Sequence, residues 1–182
     1  MRRSDSLPSI DDQRVIRFCE SIYPGMKPFY VPVQPEPGFW PLQCFSNVSK
    51  KIEMSDGEAV RGREISQLPR VYLEARFHAV WRSPSGRYVD VTPEEARQSR
   101  VLFLPDARHN SSDPPVQLHR FLLAKDQAEA QRYLKLTDEL IGLVNSNALG
   151  GIQASDPAIQ RHISNLQAES KVIRKKLQND TV

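Results

Sequence analysis

The chain has no long apolar run. None approaches the roughly 20 residues that a membrane helix needs, and the opening MRRSDSLPSI is polar where a secretory leader would be apolar. A soluble, cytoplasmic protein is therefore expected, with non-classical export left open. Cysteine is scarce as well. Cys19 and Cys44 are the only two, which excludes a disulfide framework and a Cys-x-x-Cys metal knuckle. There is no His-x-x-x-His pair, nucleotide loop or dinucleotide fingerprint, so neither metal nor cofactor is expected. Charge of one sign is also missing: 25 Lys and Arg stand against 22 Asp and Glu. The basic clusters Arg2-Arg3 and Arg174-Lys175-Lys176 are short, so nucleic acid is not an expected partner.

What the chain does have is enough length, 182 residues, for a domain with an appendage, and 14 prolines that point to much loop. Asp11 or Asp12 can cap a helix over 13–22, with Val15, Ile16, Cys19 and Ile22 at helical spacing. Cys19 on that stripe reads as a small buried hydrophobe. Residues 29–33 form a short extended segment that Pro32 assigns to a sheet edge. Pro35, Pro37, Gly38 and Pro41 then make a loop leading to a helix over 44–52 that carries Cys44, Val48 and Ile52 on one side. Residues 53–70 are polar, contain Gly57 and Gly62, and read as a turn-rich excursion.

From 71 to 81 the alternation is sustained. Val71, Leu73, Ala75, Phe77, Ala79 and Trp81 share one face of a strand, and Tyr72, Glu74, Arg76, His78 and Val80 the other. Ser83-Pro84-Ser85-Gly86 makes a turn, and residues 87–91 return as the second strand of a hairpin. A helix start over 92–96, a strand at 101–105 and a loop over 105–115 follow. The last third predicts two helices, 122–146 and 157–178, broken at Gly150-Gly151. In the second, Ile159, Ile163, Leu166, Ser170, Ile173 and Leu177 keep a 4-3 rhythm suited to a coiled-coil-like hairpin, internal or intermolecular. The domains expected are an α+β unit over 11–120 and a helical hairpin over 121–180, which packs on the first domain or mediates association.

Cys44, His78 and Asp90 put a thiol, an imidazole and a carboxylate in the order of a cysteine acyl-transfer site. A free thiol ionises near a pKa of about 8.5, and an imidazole together with a helix start promotes the thiolate. A strand can hold His78 steady while a carboxylate fixes its tautomer. A plain four-residue turn over 83–86 sets His78 opposite Val91, so Asp90 reaches it only if the register slips by one or a bulge intervenes. Read structurally instead, Cys44 is a core thiol and Asp90 caps the turn into Thr92-Pro93. Gln34 and Gln43 are the available oxyanion amides, with Gln34 favoured; Asn47 supports the site or binds its own backbone. Phe39, Trp40, Tyr72 and Arg76 would border a substrate cleft, while Trp81 packs helix on sheet.

His78-Ala79-Val80-Trp81, a glycine turn and Asp90-Val91-Thr92-Pro93 together resemble the His…Asp hairpin of the transglutaminase-like branch of the papain-like cysteine hydrolase superfamily. The resemblance spans about residues 40–93. On that pattern Cys44 matches the nucleophile, His78 the base and Asp90 the orienting acid. Val80 is an insertion, Val91 stands where proline is usual, and the glycine and tryptophan often found beside the cysteine are absent. The resemblance implies a papain-like core with helices on a small antiparallel sheet. It also implies a thiol hydrolase or acyltransferase that acts on a peptide or protein. The competing expectation is a non-catalytic protein whose helical hairpin self-associates or grips a partner.

Overall fold

The computed structural model of the chain describes residues 6–93, 98–106, 118–150 and 156–179. They divide into two compact units. One holds Ser6–Gln67 and Leu73–Phe121, the other Leu68–Tyr72 and the chain from Leu122 onward. The class is α+β, with one small sheet and, among the described residues, four helices. The helix start read at 92–96, the loop read at 105–115 and the Gly150-Gly151 break fall mostly outside the described residues. No described helix is long and apolar enough to cross a membrane.

In the first unit, helix α1 (Gln13–Ile22) starts where the Asp12 carboxylate accepts the Arg14 amide at 2.8 Å. It buries Val15, Phe18 and Cys19, while Ile16, expected on the inner stripe, is exposed. Strand β1 (Phe29–Pro32) stands first in the strand order, but Pro32 is not at a free edge as expected: it faces Arg100 on one side, and its carbonyl accepts the Asp90 amide on the other. Helix α2 (Cys44–Ser55) follows the proline loop, and the Glu36–Lys51 ion pair ties that loop to the helix.

The stretch read as turn-rich is in fact strand β2 (Glu58–Leu68), and it lies between β5 (Arg100–Pro105) and β3 (Tyr72–Arg82). Its charges hid it. Glu64 is buried but pairs with Arg76, and Arg63 is buried with its Nε donating to the Tyr23 hydroxyl at 3.2 Å. Gly62 is a close-approach position rather than a turn: a Cβ there would press on the Leu104 carbonyl and lie 2.7 Å from the Phe103 ring. The sheet runs β1-β5-β2-β3-β4, where β4 is Tyr88–Val89. Strand β6 (His119–Leu122), in a region with no strand reading, pairs with β3.

The alternation in β3 correctly separates two faces, but neither is open to solvent. Val80 packs with Val31, Val60, Val101 and Phe103 on one side, and Ala79 with Cys44, Val48, Val89 and Val91 on the other. The expected polar face carries a second core. Its charges are paired, Arg76 with Glu64 and Glu74, and Glu74 with Arg120 at 2.9 Å.

In the second unit, α3 (Gln127–Gly150) begins later than expected because residues 119–122 are strand. It pairs with α4 (Pro157–Asn179), whose start is capped by the Asp156 carboxylate on the Ala158 amide. Ile163, Leu166, Ser170, Ile173 and Leu177 are the buried row of α4, as their spacing predicts. Ser170 fills its place by donating to its own helix at the Leu166 carbonyl, 2.6 Å away. Leu140 packs with Ile163 and Leu166, and Tyr133 and Leu134 pack with Ile173, Leu177 and the Leu68–Tyr72 turn. Tyr72 is fully buried there against Tyr133. It therefore does not border a cleft as expected; its ring belongs to the helical core.

Candidate active site

Pro41 and a left-handed Leu42 (φ +65°) end the proline loop, and α2 opens at Cys44. Gln43 is the N-cap residue, but its side chain makes no capping hydrogen bond. The first-turn amides thus have no intrahelical acceptor, and the positive end of the helix dipole stands at the thiol. Cys44 is 8 % exposed and packs among Val48, Ala79, Val89 and Val91, with Phe39 and Trp81 at the margin. The Trp81 indole donates to the Asp56 carbonyl at 2.8 Å, which fastens the far end of α2 to the sheet, the packing role expected for it.

The hairpin brings the acid to the base. The Gly86 amide donates to the Ser83 carbonyl at 2.8 Å, and the Ser83 amide donates to the Arg87 carbonyl at 2.9 Å. Only residues 84–86 lie outside the pairing, with Gly86 at φ +86°. Arg82 then faces Tyr88 and Trp81 faces Val89. Continued by one step, that register sets Asp90 across from Val80, on the same side of the sheet as His78. The slip by one residue that the triad needs is present. Its cause is the left-handed glycine, which shortens the loop from four residues to three. His78 Nε2 and Asp90 Oδ2 are 2.8 Å apart.

Both residues are buried, His78 at 2 % exposure and Asp90 at 0 %. Asp90 Oδ1 accepts the Thr92 amide at 2.9 Å. Its backbone is tied to β1, donating to the Pro32 carbonyl at 2.9 Å and accepting the Gln34 amide at 2.8 Å. Burial opposes a charge on His78. The Asp90 carboxylate outweighs it, by its charge and by its hydrogen bond, and a hydrogen bond with Cys44 and the charge of Glu64 add to the effect. The imidazole is held well above its ordinary value of 6.5. With Nε2 on Asp90, Nδ1 is the nitrogen left to serve the thiol. Cys19 is different in kind: burial pushes its thiol up to about 12.

The other expected site residues separate into groups. Asn47 is buried, and its amide is fully engaged. Oδ1 accepts the Trp40 amide at 3.3 Å, and Nδ2 donates to the Trp40 carbonyl at 2.8 Å and to Thr92 Oγ1 at 3.3 Å. It cannot also serve as an oxyanion donor. Gln34 and Gln43 are exposed; the first adjoins Asp90 through its backbone, and the second directly precedes the thiol. Phe39 is half-buried against the cluster around Cys44, and Trp40 is 65 % exposed, with its backbone held by Asn47. Arg76 is engaged with Glu64 and Glu74 instead of bordering an open cleft.

Sequence reasoning passed over Thr92 and Glu64 as parts of the site. Thr92 stands within the resembling motif, at the first position of the helix start expected over 92–96. Glu64 lay in the stretch taken for turns. Phe103, which faces Glu64 across β5 and β2, completes the surroundings with its ring edge-on to His78 at 6.4 Å.

Comparison with protein-family models, with curated proteins and with solved structures finds no match to this chain. The chemistry therefore rests on the arrangement itself: a thiol at a helix start, an imidazole beside it and a carboxylate behind the imidazole. Such a set can move a proton from sulfur to nitrogen and hold the resulting cation.

Proposed function

We propose that the chain is a cysteine-dependent amide hydrolase or acyl transferase with a papain-like, transglutaminase-like core that acts on a peptide or protein. One observation carries this reading. His78 is held by Asp90 at 2.8 Å through one ring nitrogen, and the thiol of Cys44, the first residue of α2, adds to the rise of the imidazole pKa. In this mechanism Nδ1 of His78 takes the thiol proton and Cys44 Sγ attacks the substrate carbonyl. The oxyanion is met by the Cys44 amide and the side chain of Gln34 or Gln43. As the carbon–nitrogen bond breaks, His78 returns the proton to the leaving amine or ammonia, and a thioester remains on Cys44. His78 then deprotonates a water or a second amine, which attacks the thioester and frees the thiol. A reducing, cytoplasmic setting belongs to the same reading, since both cysteines are free thiols.

Alkylation by iodoacetamide between pH 5 and 9 tests it, in the wild type and in His78→Ala. Cys44 in the wild type should react at a lower pH than in the His78→Ala protein, which should react only as the solution becomes alkaline. Equal, alkaline-only reactivity in the two proteins would sink the proposal.

A further inference from the structure

A circuit of hydrogen bonds runs through the candidate site from Asn47 to His78. Asn47 lies one turn beyond Cys44 on the same helix. Its side chain holds the backbone amide and carbonyl of Trp40 and reaches Thr92 Oγ1 at 3.3 Å. The Thr92 amide holds Asp90 Oδ1 at 2.9 Å, and Asp90 Oδ2 holds His78 at 2.8 Å. Cys44, at the start of the helix that carries Asn47, adds to the rise of the His78 pKa. The helix with the thiol is thus joined to the acid through Asn47 and Thr92.

This link is well placed to act. Asn47 is 1 % exposed and Thr92 0 %, so water does not compete for their bond. The same amide clamps the loop just before Cys44, where Leu42 is held left-handed at φ +65°. A non-glycine residue persists in that conformation only when its surroundings over-determine it. Thr92 is the only residue in the circuit that touches both Asn47 and Asp90, so a change at its hydroxyl isolates this link from the rest.

On this basis, and given the cysteine-enzyme reading above, we propose that Asn47, acting through Thr92, is the positioning residue that keeps Asp90 on His78 and His78 on Cys44. Asn47 touches no reacting atom. It sets the distance between nucleophile helix and acid strand, as an outer hydrogen bond orients a catalytic imidazole.

The test uses the full chain and four variants: Thr92→Val, Thr92→Ser, Asn47→Asp and His78→Ala. Two quantities are read, the ratio of Cys44 alkylation rates by iodoacetamide at pH 6 and pH 9, and the proton NMR signal of the His78 ring N–H on Asp90. Thr92→Val keeps the shape and the backbone amide but removes the hydroxyl. It should lower the ratio by about tenfold, the equivalent of one buried hydrogen bond, and move the ring signal upfield. Thr92→Ser should restore both. Asn47→Asp, which loses the donor to Thr92, should behave as Thr92→Val and decides the matter if the latter does not fold. Wild-type values of both quantities in the folded Thr92→Val and Asn47→Asp proteins would overturn the proposal. The enzyme reading fails separately, if wild type and His78→Ala react alike at pH 6, and the ring signal still decides the role of Asn47.

Discussion

The Ser83 amide donates to the Arg87 carbonyl at 2.9 Å, and this one pair decides which side of the sheet Asp90 faces. Side chains alternate along a strand, so one residue more or less in the loop would turn Asp90 away from His78. Gly86 at φ +86° is what allows the pair to form over only three intervening residues.

Gly86→Ala tests that dependence. A Cβ there meets only the tip of Arg82 at 3.9 Å, so the cost is conformational rather than steric. Urea denaturation should show a loss of roughly 1–2 kcal/mol. An unchanged midpoint would mean that the left-handed glycine is not what closes the loop.

The buried imidazole makes stability depend on pH. Despite burial, Asp90 holds His78 well above 6.5. A group with a raised folded value contributes stability that is complete below its unfolded value and lost as pH rises through the folded one. The wild-type urea midpoint should therefore fall on the alkaline side of 6.5. In Asp90→Asn the carboxylate is gone and burial dominates, so the His78 part of the dependence should reverse and stability should fall on the acid side instead. A midpoint that varies with pH in the same way in both proteins would contradict this assignment.

The two thiols should differ sharply. Cys19 is 1 % exposed and pushed up to about 12. In Cys44→Ser, a disulfide reagent should find no fast thiol in the folded protein at pH 8, and one thiol after urea is added. A rapid reaction of the folded variant would show that α1 does not seal Cys19.

Strand β2 is tested at Gly62. Alanine there would press on the Leu104 carbonyl, which is backbone and cannot swing aside, and on the Phe103 ring. Thermal and urea unfolding should register a loss of about 3 kcal/mol, the upper part of the usual range for overpacking. A loss near that of an ordinary surface substitution would argue against the β2–β5 pairing.

The parts legible in the sequence are those where pattern and burial agree. The alternation from Val71 to Trp81, the helix that begins at Cys44 and the row from Ile163 to Leu177 all stand where their spacing puts them. Strand β2 was not legible, because Arg63 and Glu64 are buried with partners on other elements that a local pattern does not reveal. Tyr72 was misread for a related reason: its neighbours come from α3, far along the chain. The reach from His78 to Asp90 turned on a single φ angle, and no count of residues between two strands contains that angle.

Asp90 does two jobs at once. Its carboxylate faces His78, while its backbone carries the parallel bridge to Val33, the link that returns the last strand of the sheet to the first. The acid is therefore also a seam. If β1 frays locally, the seam opens and the imidazole loses its anchor while most of the wall still stands. On the cysteine-enzyme reading proposed above, thiol reactivity that depends on His78 would then vanish at denaturant concentrations below those that unfold the chain, so chemistry at Cys44 would report the integrity of β1.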